Sequence, residues 1–298
     1  MSHAIQIPSD RAPAHNRVGH PSPGPVETGA TFDLSLLRQG LPLRAVFITS
    51  RPPLHPLLVG LVDRLGCSLP DPSSEVRIDW ILPTCRAQLI LSPGSAIFVG
   101  PKVRAERVER RTGERTVGVS LAAGAEFAFT GSGGDETCGH TLPLDALVAV
   151  GSLPDRLAEQ ADDRVLDRLE GELVGWLTPA SADSRVLKAA HAIRGGQRAT
   201  KVVDVLGVDR RRFVPEFRRM VGVGPKQYER ICRFNAAVEA IRQPGADPLA
   251  SVAVDHGFAD QAHLTREIGH FARTNPSRLH RDGATMINHL EYDKIFKT

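Results

Sequence analysis

From Lys201 to Arg281 the apolar positions fall into one arrangement used twice, about fifty residues apart, with a long helical stretch between the copies. In the second copy Leu249, Val252 and Ala253 recur at helical spacing, and Gly257 follows Ala253 by four positions. A short helix ends there on a residue that reaches the left-handed region without cost. Asp260 then supplies an N-cap, and Leu264, Ile268 and Phe271 at i, i+4 and i+7 predict a second helix burying that stripe. Its opposite face carries Gln261, His263, Thr265 and Arg266.

The first copy repeats this layout with Val203 and Gly207 four apart, Asp209 as the cap, and Phe213 and Phe217 as the buried stripe. Its outer face is basic, with Arg210, Arg211, Arg212, Arg218 and Arg219, and Lys201 stands on the preceding short helix. Between the copies Tyr228, Ile231, Phe234, Val238 and Ile241 keep helical period, opened by Gly224–Pro225 and stopped by Pro244–Gly245. Two short-helix, glycine-turn, helix units on one rod describe paired helix-turn-helix motifs. The rod would hold two reading helices for major-groove windows about 34 Å apart.

At this point the chain resembles a known family. The runs GVGPKQYERICRFNAAVEAI and DHGFADQAHLTREIGHFARTNPSRLHR are similar to the DNA-binding domain of AraC/XylS-type transcription regulators. The features that carry the resemblance are Gly257 with Phe258, His263 before Leu264, Arg266 two positions on, and Asn275 with Pro276 closing the motif. The resemblance implies double-stranded DNA as partner and a bacterial regulator. It also implies Gly207 and Gly257 as structural turns and Pro276 as the start of a final helix.

Three departures stand out. Val203 replaces the family's alanine before the first turn, and Arg273 replaces a glycine three before the closing proline. Pro215 falls where the first reading helix carries a base-contacting residue. With Asp209 as cap, it deletes the bond to the Arg211 carbonyl at a cost of about 3 kcal/mol in a helix interior, so the helix kinks or starts later.

Elsewhere the texture differs. Residues 1–40 hold Pro8, Pro13, Pro21, Pro23 and Pro25 with little hydrophobic period and read as a disordered segment; His3, His15 and His20 have no metal-ligand spacing. From Leu43, short apolar runs at Val76–Leu82, Arg86–Leu91, Ala96–Val99, Arg104–Arg110 and Arg115–Leu121 predict strands, and Leu57–Leu65 a short helix. Leu157, Val165, Leu166, Leu169, Leu173 and Trp176 predict amphipathic helices within Pro154–Leu177, and Thr178–Ser184 a linker. The fold class is therefore α+β. A mixed, mostly β N-terminal domain at 41–177, a curved sheet or partial barrel, precedes an all-α domain at 183–282, and a tail at 283–298 has Ile287, Leu290, Tyr292 and Ile295 as a short extra helix. The runs ILPTCRAQLIL, FVGP and GVSLAAGAEF resemble a domain that precedes the AraC-type domain in many regulators. In it the first motif is a leucine-proline-aspartate-glycine turn, and Thr84 and Cys85 replace its acid and glycine here.

Charge sharpens the division. From Asp183 onward 20 Lys and Arg face 13 Asp and Glu, a net of +7 against +3 for all 298 residues. The excess lies where DNA would, and log affinity should fall with log salt at about −0.9 per phosphate neutralised. Cys67, Cys85, Cys138 and Cys232 have no CxxC spacing and read as buried reduced thiols. With no apolar run near the roughly 18–20 residues of a membrane span and no secretory signal, the expected location is cytoplasmic.

GxxxxGK[ST], HExxH and GxSxG are absent from the sequence, which argues against an enzyme and gives no reason to expect a cofactor. His263, Glu267 and His270 share a helical face but sit on the reading helix, so no metal is expected there. The expected DNA contacts are Lys201, Arg210, Arg211, Arg212, Arg218, Gln261, His263, Thr265 and Arg266. RNA polymerase, a small-molecule effector and a second copy of the chain are the further candidate partners. The competing reading, motivated by Pro215, is a protein-interaction or ligand-sensing module with weakened or lost DNA binding.

Overall fold

The computed structural model describes residues 47–68, 76–111, 114–161, 163–178, 184–243, 245–281 and 286–287. The N-terminal segment 1–40 and most of the tail expected as a helix lie outside them.

Strands β1 (Phe47–Arg51), β2 (Val62–Ser68), β4 (Gln88–Ser92), β5 (Ser95–Val99), β7 (Thr116–Leu121) and β8 (Thr141–Pro143) form one antiparallel sheet in the order β1-β2-β7-β4-β5-β8. The sheet is open. Strand β7 shows why these residues choose this form: Val117, Val119 and Leu121 are buried in strict alternation, the period-two pattern of a strand with one covered face. The cover is helix α4 (Val165–Trp176), which buries Val165, Leu166, Leu169 and Leu173 in one cluster with Leu65, Leu89, Leu91 and Phe98. A second sheet pairs β3 (Val76–Ile81) antiparallel with β6 (Glu106–Arg111) and parallel with β9 (Met286–Ile287).

Two expectations need correction. Leu57–Leu65 is not a helix: Pro56–Leu58 is a single 3-10 turn, Gly60 takes φ 82°, and β2 begins at Val62. The proline and the left-handed glycine interrupt any helical ladder, and the apolar residues beyond them serve the sheet instead. The tail's Met286–Ile287 is a strand rather than part of a helix.

Short helices α1 (Phe127–Thr130), α2 (Gly134–Thr137) and α3 (Leu153–Glu159) follow the strands. The helical part comprises α5 (Ser184–Arg194), α6 (Ala199–Val205), α7 (Arg210–Val221), α8 (Pro225–Arg242), α9 (Leu249–Asp255), α10 (Gln261–Ala272) and α11 (Pro276–Arg281). Its core, around Phe217, Tyr228, Phe234, Ile268 and Phe271, also contains Leu82, Cys85, Ala105 and Ala123 from the sheet-rich part. Among the described residues no helix is long and apolar enough to cross a membrane.

Among the described residues, Cys85 (φ 50°) and Arg273 (φ 55°) are the non-glycine residues with positive φ. Both stand where the family resemblance expects glycine. The turns keep the left-handed geometry although the side chain has changed, which costs a non-glycine residue roughly 1–2 kcal/mol. Cys67 and Cys85 are buried as expected, whereas Cys138 and Cys232 are only half-buried.

Candidate nucleic-acid interface

Each bihelical unit is built by the same local chemistry. In the first, α6 ends at Gly207 (φ 61°) and the Asp209 carboxylate accepts a hydrogen bond from the Arg211 N–H at 2.9 Å, so α7 starts at Arg210. In the second, α9 ends before Gly257 (φ 71°) and Asp260 accepts from the His263 N–H at 2.6 Å, which starts α10 at Gln261. The short side chains of the caps satisfy amide groups that the first helical turn leaves without partners. Phe213 and Phe217 are buried under α7, and Leu264, Ile268 and Phe271 under α10.

Helix α8 spans 18 residues, about 27 Å at 1.5 Å per residue, and fastens both units with adjacent charged positions. Glu229 accepts from the first amide of α6, Ala199 N–H, at 2.9 Å. Arg230 makes a two-bond pair with Glu267 of α10 at 2.7 and 3.1 Å. Arg233 donates to the Gly257 carbonyl at 3.3 Å and lies over the Phe258 ring at 5.2 Å. Sequence reasoning missed Glu229, Arg230 and Arg233, and considered Glu267 only as a metal ligand. Their signal was three charges at 229, 230 and 233 within an otherwise apolar-periodic helix.

The outward faces differ. On α10, Gln261, Thr265 and Arg266 are exposed. The Thr265 hydroxyl donates to the Gln261 carbonyl at 2.9 Å. His263 is half-buried: its Nδ1 accepts from the Ala259 N–H at 3.3 Å, and its ring meets Phe258 edge-on at 5.4 Å. His263 thus braces the turn and leaves Nε2 as its remaining polar atom. Glu267, considered beside His263 and His270, is engaged by Arg230.

On α7, Arg210, Arg211, Arg212 and Arg218 are exposed, as is Lys201 on α6. Arg212 lies 3.9 Å from the Asp209 carboxylate. Arg219 is held by Glu216 at 2.7 and 3.1 Å and sits 5.0 Å above the Phe127 ring of α1. Pro215 lies inside the helix, which begins at Arg210 and so does not start later. Pro276 occupies the first position of α11.

The sheet-rich part grips the C-terminal ends of both outward helices. A Cβ on Gly133 would stand 2.4 Å from the Arg219 carbonyl, and one on Gly134 would stand 2.5 Å from the Met220 carbonyl and 2.6 Å from the Gly222 nitrogen. Only glycine lets α2 approach α7 so closely. At α10 the Phe271 carbonyl accepts from the Ala105 N–H at 2.7 Å, and on α8 Asn235 donates to the Pro83 carbonyl at 2.7 Å. Beside the α7 seam, Glu126 is fully buried and neither carboxylate oxygen finds a partner of good geometry. Burial raises its pKa from 4.5 to about 8, and the Glu126 and Gly124 backbone amides offset only part of that.

Residues 202–282 match a protein family described as "Helix-turn-helix domain". Among curated proteins the sequence finds no match. Among solved structures the chain is similar to ToxT from Vibrio cholerae, at 9% identity over 70% of this chain and 98% of that one, with a TM-score of 0.40. It is also similar to the xylose-binding transcription activator xylR, at 15% identity over 43% of this chain and 39% of that one, with a TM-score of 0.31.

Proposed function

We propose that this chain, whose residues 202–282 match a helix-turn-helix domain family, is a sequence-specific DNA-binding transcription regulator of the AraC type. The observation that carries this reading is the pairing itself. Two bihelical units, each capped by an aspartate and turned by a left-handed glycine, are fastened to one helix and leave basic or amide-bearing faces uncovered. Such faces suit successive major-groove windows of one duplex. Residues 183–282 are the DNA-binding domain, and 41–177 the sensing or dimerisation domain.

The two helices divide the work. Helix α10 is the principal reader, with Arg266 suited to guanine O6 and N7 and Gln261 to adenine N6 and N7. Thr265 and His263 flank them. Helix α7 carries Pro215 within it and is covered at its C-terminal end by α2. Lys201, Arg210 and Arg212 therefore serve phosphates, and Arg211 is its base reader. Arg218 is exposed on the last turns of α7, and its role is a phosphate contact at the edge of the interface.

A mobility-shift titration of the full chain against selected genomic and random DNA tests this. Arg266→Ala should lose about 1–3 kcal/mol of discrimination at one base pair. Lys201→Ala should weaken binding evenly across sequences and lower the salt slope by about one. Equal indifference to both DNA classes at low salt would refute the reading.

A further inference from the structure

We propose that Arg273 and Arg104 clamp the DNA backbone at the C-terminal end of α10, so that the sheet-rich part itself touches the duplex. The inference rests on α10 being the principal reader. Ala262, Arg266, Gly269 and Arg273 follow one another at spacings of four, three and four, which stacks them in one row along a helix. All four are exposed, and the row lies opposite the buried Leu264, Ile268 and Phe271.

Two members of the row have no use inside the fold. Gly269 stands in the helix interior, where glycine is less favourable than alanine, yet a Cβ there would meet only the Thr274 carbonyl, at 3.9 Å. Among the described residues no packed neighbour requires a bare backbone at this position. A sugar-phosphate strand crossing the helix at Gly269 does. Arg273 holds a left-handed backbone at φ 55°, where glycine would sit without strain. Strain of this kind is retained at binding sites, and a guanidinium can pair with two phosphate oxygens at once.

The sheet-rich part completes the clamp. The Ala105 N–H donates to the Phe271 carbonyl at 2.7 Å. That bond brings the exposed Arg104, one residue before the amide, to the end of α10, where Arg273 stands two residues past the carbonyl. Glu106 is taken by Lys102 at 2.6 Å, and Phe271 to Arg281 contains no acidic residue. The two guanidinium groups thus concentrate positive charge beside the reading face, which suits phosphates. Phosphate contacts fix register without reading sequence.

Mobility-shift titrations of the full chain over a salt series, on selected genomic and random DNA, test this. Arg104→Ala and Arg273→Gly should each reduce the steepness of the log–log salt slope by about 0.9 and weaken binding to both DNA classes alike. Gly269→Leu, at an exposed position, should weaken both without lowering Tm. Arg273→Gly should raise Tm, so its lost affinity would not come from unfolding; a merely structural arginine would move Tm and leave the slope where it was. An unchanged slope in either arginine variant overturns the clamp. If Arg266→Ala still loses discrimination in that case, the reader stands and only the clamp falls; a wild-type chain indifferent to DNA class at low salt overturns both.

Discussion

Glu267 of α10 accepts two hydrogen bonds from Arg230 of α8, at 2.7 and 3.1 Å, and so bolts the two helices together. Burial opposes ionisation of Glu267, but Arg230, with His263 and His270, outweighs it and holds the pKa below the ordinary 4.5. The folded chain therefore binds fewer protons than the unfolded one at acid pH. The pair's contribution is complete above 4.5 and lost as pH falls through the lower folded value. The Arg230 side chain is 39% exposed, so solvent moderates the loss, and Glu267→Gln should cost about 1–2 kcal/mol at neutral pH. Denaturant titrations of both proteins should converge as pH drops below 4.5.

Glu126 has the opposite sign. Its pKa is raised from 4.5 to about 8, first by burial. The folded state thus holds a proton that the unfolded state releases, and the stability linked to it is lost as pH rises from 4.5 through about 8. Glu126→Gln keeps the shape and removes the titration. Its Tm should exceed that of the wild-type chain above pH 8, and the wild-type decline between pH 5 and 8 should flatten.

Gly134→Ala tests the seam between α2 and α7. The new methyl meets the Met220 carbonyl at 2.5 Å and the Gly222 nitrogen at 2.6 Å, both backbone atoms, so the two helices must part. Overpacking of this kind costs about 1–3 kcal/mol. Gly171→Ala on α4, with nothing within 4 Å, should instead stabilise by about 0.5–1 kcal/mol. Parallel thermal melts with opposite shifts are expected; a neutral Gly134→Ala would show that the seam yields freely.

Arg273→Gly should stabilise the chain. The arginine is exposed and its backbone is left-handed at φ 55°. Relief of about 1–2 kcal/mol of backbone strain exceeds the roughly 0.5–1 kcal/mol of added chain entropy. A denaturant midpoint above that of the wild-type chain is the expected result.

What the sequence disclosed was local. The Asp209 and Asp260 caps, the glycine turns and the apolar stripe of α8 each depend on residues within a few positions, and each can be read from spacing alone. Leu57–Leu65 misled because Leu57, Leu58, Leu61 and Leu65 imitate a helical stripe, although Pro56 and Gly60 break the ladder. The seams at Gly134, Ala105 and Asn235 were not legible, since backbone groups meeting across distant segments leave no periodic trace. Cys85 and Arg273 fell between these cases: the missing glycines were visible, but not that the turns would retain the geometry glycine normally serves.

The apolar cluster beneath the outward helices draws Leu82, Cys85, Ala105 and Ala123 from the sheet-rich part. A gene fragment starting near residue 183 would bring Tyr228 and Phe271 to the ribosome exit without those neighbours and open an oily scar to water. Expressed alone, it should clump or recruit a chaperone; supplying residues 41–177 as a separate polypeptide should return it to the soluble fraction.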